Sequence, residues 1–118
     1  MSDKRLEKIM VGLRQFAEDR DWDQFHSPKN LSMALIAEAA ELVEHFQWLT
    51  EDQSNNLNQK QLEEVAMEMA DVQIYLLRLA EKLQLDMLTA VEKKMAINAE
   101  KYPAEIVKGS SKKYTEYK

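Results

Sequence analysis

Two pairs of acidic residues lie among apolar residues, and each pair has the spacing of one helix turn. Glu38 and Glu41 are three positions apart in the segment LSMALIAEAAELVEHFQWL, and Glu68 and Asp71 have the same spacing in VAMEMADVQIYLL. Side chains at i and i+3 project from the same side of a helix. Glu38 also falls where the apolar repeat predicts a hydrophobic residue. The sequence therefore predicts carboxylates that converge on one site from two helices.

A carboxylate with apolar neighbours needs a compensating positive charge, because burial of an unpaired charge is costly. No Lys or Arg lies within one turn of either acidic pair before Arg78. A bound divalent cation would supply the missing charge. The chain has no cysteine and two histidines, so oxygen ligands favour Mg²⁺, with Mn²⁺ as a substitute, over Zn²⁺. The alternative is a set of salt bridges between helices, or a water-filled channel lined by acids.

The elements that carry these acids are predicted to be helices. The chain has two glycines and two prolines, which are too few breaks for a fold of many strands. Apolar repeats predict four helices, over about residues 3–19, 30–49, 61–83 and 86–102, with Asn30 and Asp86 as N-caps. Residues 50–60 are expected to form an exposed link. The third helix is apolar on nearly every side, so the expected all-α four-helix bundle should form a homodimer or homotetramer.

Composition excludes several other classes of protein. No stretch resembles a linker, so we expect a single domain over residues 1–118, with a basic Ser- and Lys-rich tail from about residue 104. The net charge of −5 is unsuited to a nucleic-acid polymer as partner. The sequence contains neither the apolar core of a signal peptide nor a run long enough to span a membrane. We therefore expect a soluble, cytoplasmic protein without a membrane partner.

The motifs Glu38-Ala-Ala-Glu41 and Glu68-Met-Ala-Asp71 match the ExxE...ExxD pattern of the all-alpha nucleoside triphosphate pyrophosphatases. The chain resembles the MazG-like family. The strings RDWDQFH, PKNL, FQW, DVQIYL, KMAINAEKYP and SSKKYTE are similar to its dCTP pyrophosphatase branch. This resemblance implies a MazG-like bundle and a magnesium-dependent hydrolase. The enzyme would convert a deoxynucleoside triphosphate, preferably dCTP-like or modified, to the monophosphate and pyrophosphate, and so clean the nucleotide pool.

The resemblance also assigns a role to the two acidic pairs. They would be both catalytic and metal-binding, holding Mg²⁺ ions that bind the triphosphate and activate the attacking water. Ala37 and Met67 stand where some relatives have a further Glu, which leaves the general base open. The absence of these acids also supports a second hypothesis, in which the chain is a metal-dependent nucleotide-binding or regulatory module with little turnover. A third is a structural helical adaptor in which the acids form salt bridges.

A further set of residues is expected to bind substrate. These residues are Trp22, His26, Trp48, Tyr75, Lys94, Asn98 and Lys101. By resemblance the two indoles would flank the nucleobase, since an indole stacks well on a planar base. The last three residues have i, i+4, i+7 spacing and form one polar helix face suited to phosphate oxygens and a sugar or base edge. Each has a structural alternative: buried or interfacial tryptophans, a packing or capping histidine, a buried tyrosine, or a solvated lysine face.

Overall fold

The computed structural model describes residues 3–109, and within that range every regular element is helical. The helices are α1 (Lys4–Asp19), α2 (Pro28–Glu44), α3 (Glu51–Ser54), α4 (Gln59–Lys82), α5 (Met87–Lys101) and α6 (Ala104–Val107), with a 3-10 turn at Asp23–Phe25. The all-α class is therefore confirmed. The string SSKKYTE and the rest of residues 110–118 lie outside the described residues. Among the described residues, no helix is both long enough and apolar enough to cross a membrane.

The start of α2 differs from the prediction that Asn30 is its N-cap. The N-cap is Ser27, whose hydroxyl accepts a hydrogen bond from the backbone N–H of Asn30 at 3.1 Å. Pro28 occupies the first helical position, where the absence of its N–H costs nothing. Asn30 lies inside the first turn, and its side-chain amide donates to the carbonyl of Phe25 at 3.0 Å. The serine followed by proline was the stronger start signal.

The end of α2 and the following link also differ from the prediction. The helix ends at Glu44 rather than near residue 49, because i→i−3 bonds from His45 and Phe46 tighten the chain into turns. The expected link at residues 50–60 is exposed, but it contains α3. Thr50 and Gln53 form a capping box at the start of α3, and Asn58 and Gln61 form another at the start of α4. Both signals are visible as TEDQ and NQKQ, in which the cap residue precedes a Gln by three positions.

The helices that position the acids belong to the first of two compact units, which divide between Gln84 and Leu85. In the first unit α4 packs extensively against α2 and also contacts α1. Its buried apolar residues are Ala17 of α1, Leu31 of α2, and Val65, Leu77 and Ala80 of α4. The second unit contains α5 and α6, and Asp86 caps α5 as predicted by accepting from the N–H of Thr89 at 3.1 Å. The single domain, the four-helix bundle and the oligomer stay predictions.

Candidate metal centre and adjoining cavity

Three carboxylates converge where α2 packs against α4. Glu38 and Glu41 of α2 and Glu68 of α4 each offer one oxygen, and these three oxygens lie within 4.8 Å of one another. Glu38 and Glu68 are partly buried, whereas Glu41 is exposed. We call these residues the carboxylate trio. The helix packing thus brings together three of the four acids that the sequence singled out.

The negative charges of the carboxylate trio affect one another's ionisation. The pKa of Glu38 is raised because its carboxyl group hydrogen-bonds that of Glu68, and burial raises it further. The pKa of Glu41 is also raised, chiefly by a hydrogen bond with Glu38. Both shifts have the direction expected when neighbouring carboxylates disfavour each other's ionisation. The trio therefore binds either protons or a cation more readily than isolated carboxylates do.

Two atoms of the carboxylate trio make it suited to a hard divalent cation. Oε2 of Glu38 and Oε2 of Glu68 are buried and have no hydrogen-bond partner among the described residues. Buried carboxylate oxygens are normally paired, because an unsatisfied one forfeits its hydration. Interhelical salt bridges would have given these atoms basic partners. An all-oxygen donor set with two orphaned atoms fits Mg²⁺ or Mn²⁺.

The fourth predicted acid, Asp71, lies outside the carboxylate trio. It follows Glu68 by one turn of α4 and is exposed. Its charge nevertheless contributes to the raised pKa of Glu38, after the larger effects of Glu68 and burial. Asp71 also lines a cavity that runs along α4. It therefore stands between the trio and this cavity.

The cavity has a volume of about 290 Å³ and is bounded by α1, α4 and the connector between α1 and α2. Its walls are formed by Leu13, Phe16, Ala17, Trp22, His26, Asp71, Ile74, Tyr75 and Arg78. Three predicted substrate-binding residues, Trp22, His26 and Tyr75, thus meet in one place. The Trp22 ring contacts Phe16 edge-on, with centroids 5.8 Å apart at 68°. Trp22 remains 46% exposed, so part of the indole is available to a ligand.

The other predicted binding residues belong to the turns after α2 and to the second unit. Trp48 is in the turns after α2, is 87% exposed, and is not among the residues that line the cavity. A buried position in the core of this chain is therefore excluded for Trp48. Lys94, Asn98 and Lys101 share one face of α5 in the second unit. Their role in substrate binding stays a prediction.

Sequence analysis did not assign a role to Arg78, which is 3% exposed and lines the cavity. One of its Nη groups donates to Asp23 at 3.0 Å, and the other donates to Glu81 at 3.3 Å. Lys82 also contacts Asp23, with Nζ and Oδ1 2.6 Å apart. The sequence did offer one signal for Arg78. It is a basic residue that follows Leu77 directly and lies one helix turn after Tyr75, within an apolar part of α4.

Comparison with known proteins covers the segment that carries the carboxylate trio. The model of the MazG-like family matches residues 34–117, which include all four acids. This chain belongs to the MazG-like family. The solved structure of a pyrophosphatase from Archaeoglobus fulgidus superimposes with a TM-score of 0.81 at 38% identity, and the match covers 87% of this chain and 96% of that one. The resemblance inferred from the sequence motifs is thereby confirmed.

Curated relatives place the chain within one branch of the MazG-like family. The dCTP pyrophosphatase 1 of Homo sapiens is 45% identical over 113 residues, which cover 94% of this chain and 66% of the relative. The dCTP pyrophosphatase 1 of Bos taurus is 39% identical over 117 residues, which cover 98% of this chain and 69% of the relative. The chain therefore spans about two thirds of the length of these curated relatives.

Replacement of Glu38 tests whether the carboxylate trio binds a cation. Without metal, Glu38→Gln is expected to be as stable as the unaltered chain or more stable, because one of three neighbouring negative charges is removed. A cation at 100 times its Kd stabilises a folded protein by about 2.7 kcal/mol, and Glu38→Gln should lose most of this effect. Thermal unfolding with Mg²⁺ or chelator measures both. Glu64→Gln, an exposed change on α4 outside the trio, is the control, and an undiminished Mg²⁺ effect in Glu38→Gln would contradict the assignment.

The Asp23 ion pairs predict a dependence of stability on pH. Lys82, and then Arg78, lower the pKa of Asp23 by hydrogen bonding. This contribution to stability is therefore complete above the unfolded pKa of about 3.9 and is lost as the pH falls through the lower folded pKa. Asp23→Asn should melt at a lower temperature than the unaltered chain at neutral pH, and the difference should shrink on acidification. Circular dichroism melts between pH 7 and 2.5 test this, and a constant difference would show that the charge of Asp23 is not responsible.

Proposed function

We propose that this chain is a magnesium-dependent nucleoside triphosphate pyrophosphohydrolase. It converts a deoxynucleoside triphosphate, with a dCTP-like or modified base preferred, to the monophosphate and pyrophosphate, and so removes unwanted nucleotides from the pool. The observation that carries this proposal is the convergence of Glu38, Glu41 and Glu68, because Glu38 and Glu68 each have a buried oxygen without a hydrogen-bond partner among the described residues. Identity of 45% to a dCTP pyrophosphatase 1 supports the reaction and the class of base.

The acids of α2 and α4 account for the hydrolytic end of the site. Glu38, Glu41 and Glu68, with Asp71 one turn further, would hold Mg²⁺, and Mn²⁺ would substitute. When bound, the cation supplies neutralisation of phosphate charge and makes a water molecule more acidic. The water oxygen bonds to the α-phosphorus while the bond from that phosphorus to the bridging oxygen breaks, which releases pyrophosphate. One of these four carboxylates would accept the water proton.

The cavity beside Asp71 accounts for the nucleobase end. Its volume of about 290 Å³ is at the lower limit for a ligand pocket, which suits one planar ring system better than a whole nucleotide. Trp22 offers a partly exposed indole face for stacking, and His26 and Tyr75 supply polar groups in the walls. Lys94, Asn98 and Lys101 of α5 would bind phosphate oxygens and the sugar or base edge. Trp48 would be the second stacking partner.

A homodimer or homotetramer is part of the proposal. Ile36 and Val43 of α2 are 67% and 56% exposed, and Met67 and Met69 of α4 are 67% and 56% exposed. Large exposed apolar side chains on two helices that pack against each other are typical of a surface that another protein covers. A second copy of the chain is the occupant we propose. A nucleoside triphosphate, rather than a nucleic-acid polymer, is the proposed partner in solution.

Product analysis tests the proposed reaction. The purified chain is incubated with each common dNTP and NTP, with Mg²⁺ or with chelator, and the products are identified by phosphorus NMR. Monophosphate and pyrophosphate are expected only with Mg²⁺, and Glu38→Gln prepared in parallel should form neither. Release of orthophosphate would contradict cleavage next to the α-phosphorus. Nucleotide binding without products would favour the binding-module alternative, to which the absence of flanking acids at Ala37 and Met67 already points.

Substitution of the indoles tests the nucleobase subsite. Stacking is worth about 1–3 kcal/mol per base, so Trp22→Ala should raise KM for the preferred dNTP by roughly 5- to 150-fold and change kcat much less. Trp48→Ala should have a similar effect if Trp48 contributes the second face. Phe25→Ala removes an exposed aromatic of the same connector that does not line the cavity, and should leave KM unchanged. Equal effects of Trp22→Ala and Phe25→Ala would contradict stacking in this cavity.

A further inference from the structure

Arg78 is a buried, charged residue in the wall of the cavity. Its side chain is buried, and the other walls of the cavity are formed by both polar and aromatic residues. A buried guanidinium is stable only when acceptors surround it. Asp23 and Glu81 accept from its two Nη groups, while its Nε–H has no partner among the described residues. So costly an arrangement is better explained by a specific task than by packing alone.

The first effect of Arg78 is to attach the connector to α4. We define the connector as residues 20–27, between α1 and α2; it contains Trp22 and His26. Asp23 lies between these two residues and accepts from both Arg78 and Lys82 of α4. Asp21, at φ 53°, ends α1 in a left-handed turn, and the connector then contacts α4 through Asp23. These ion pairs, together with the bond from the Trp22 backbone N–H to the Ala17 carbonyl at 2.9 Å and the ring contact with Phe16, hold Trp22 in the cavity wall.

The second effect of Arg78 is on the protonation of His26. Nη2 of Arg78 is 3.3 Å from Nδ1 of His26. A guanidinium can only donate hydrogen bonds, so Nδ1 must be the accepting, unprotonated nitrogen. The proton of a neutral imidazole then resides on Nε2. The pKa of His26 is lowered, first by burial and then by the charge of Arg78, which agrees with a neutral ring at physiological pH.

We propose that Arg78 is a positioning residue for nucleobase recognition, which holds the connector on α4 and fixes His26 in the Nε2–H tautomer. The cavity then offers a hydrogen-bond donor on His26 beside the indole face of Trp22. The ligand edge that fits this donor carries an acceptor, either a carbonyl oxygen or an unprotonated ring nitrogen. The role in recognition rests on the proposed function, whereas the tautomer is a property of the chain without nucleotide.

Nitrogen NMR tests the tautomer independently of any activity. Long-range ¹H–¹⁵N correlation of the labelled chain at pH 7.5 distinguishes a protonated from an unprotonated ring nitrogen, and a His45→Gln spectrum assigns the two histidines. We expect His26 to show an unprotonated Nδ1 and a protonated Nε2. In Arg78→Met both nitrogens should shift towards values averaged over the two tautomers. A protonated Nδ1 in the unaltered chain would overturn the proposal, and this result requires no variant to fold.

A matched variant separates this role from general stabilisation. Arg14 also donates to Glu81, at 2.7 Å, but it lies on α1 and does not line the cavity. Arg14→Met should leave the His26 signals and KM unchanged, although it removes a cation from the same group of ion pairs. Arg78→Met should raise KM for the preferred dNTP on the order of tenfold, as expected for loss of one hydrogen bond, with kcat nearly unchanged. Equal effects of the two variants would overturn the positioning role. If the chain hydrolyses no nucleotide, the proposed function fails while the NMR result still decides the tautomer.

Discussion

The repulsion between carboxylates that meet at the contact of α2 with α4 governs the organisation of this chain. Three acidic side chains come together there, and their mutual repulsion opposes the packing of the two helices that carry them. The apolar contacts around Leu31 and Val65 must hold the helices together against this effect. The site is therefore preorganised for a cation by the hydrophobic packing of its own scaffold. A cation that enters relieves a repulsion already present, so binding and stability are linked.

A second polar cluster, around Arg78, contains charges of both signs. Around Arg78, the positive charges of Arg14, Arg78 and Lys82 are interleaved with the acids Asp23 and Glu81. In this cluster each charged group faces a group of opposite sign, whereas the carboxylate trio consists of acidic groups alone. This difference in charge gives two parts of α4 different roles. The part of α4 around Glu68 is suited to attract a metal ion, and the part around Arg78 is suited to hold neighbouring side chains in fixed positions.

Sequence reasoning succeeded where the information is local and failed where partners come from distant parts of the chain. The i, i+3 acids and the Asp86 cap were found because each depends on a short spacing along one helix. The early end of α2 was missed because the apolar repeat continues past Glu44, although the backbone changes to tighter turns there. Arg78 was missed because its acceptor Asp23 is 55 positions away in the sequence. No local pattern reports a pairing of that kind.

The continuity of α4 has a consequence for how such a chain can vary. Glu68 and Arg78 lie on one uninterrupted helix, and ten residues of helix span about 15 Å. A single inserted residue between them would lengthen this separation by about 1.5 Å and rotate every later side chain by about 100°. Tyr75 and Arg78 would then leave the face that Glu68 and Asp71 occupy. Substitutions can adjust the chemistry of α4, but its length is fixed, and variation in length belongs in the exposed turns before Asn58.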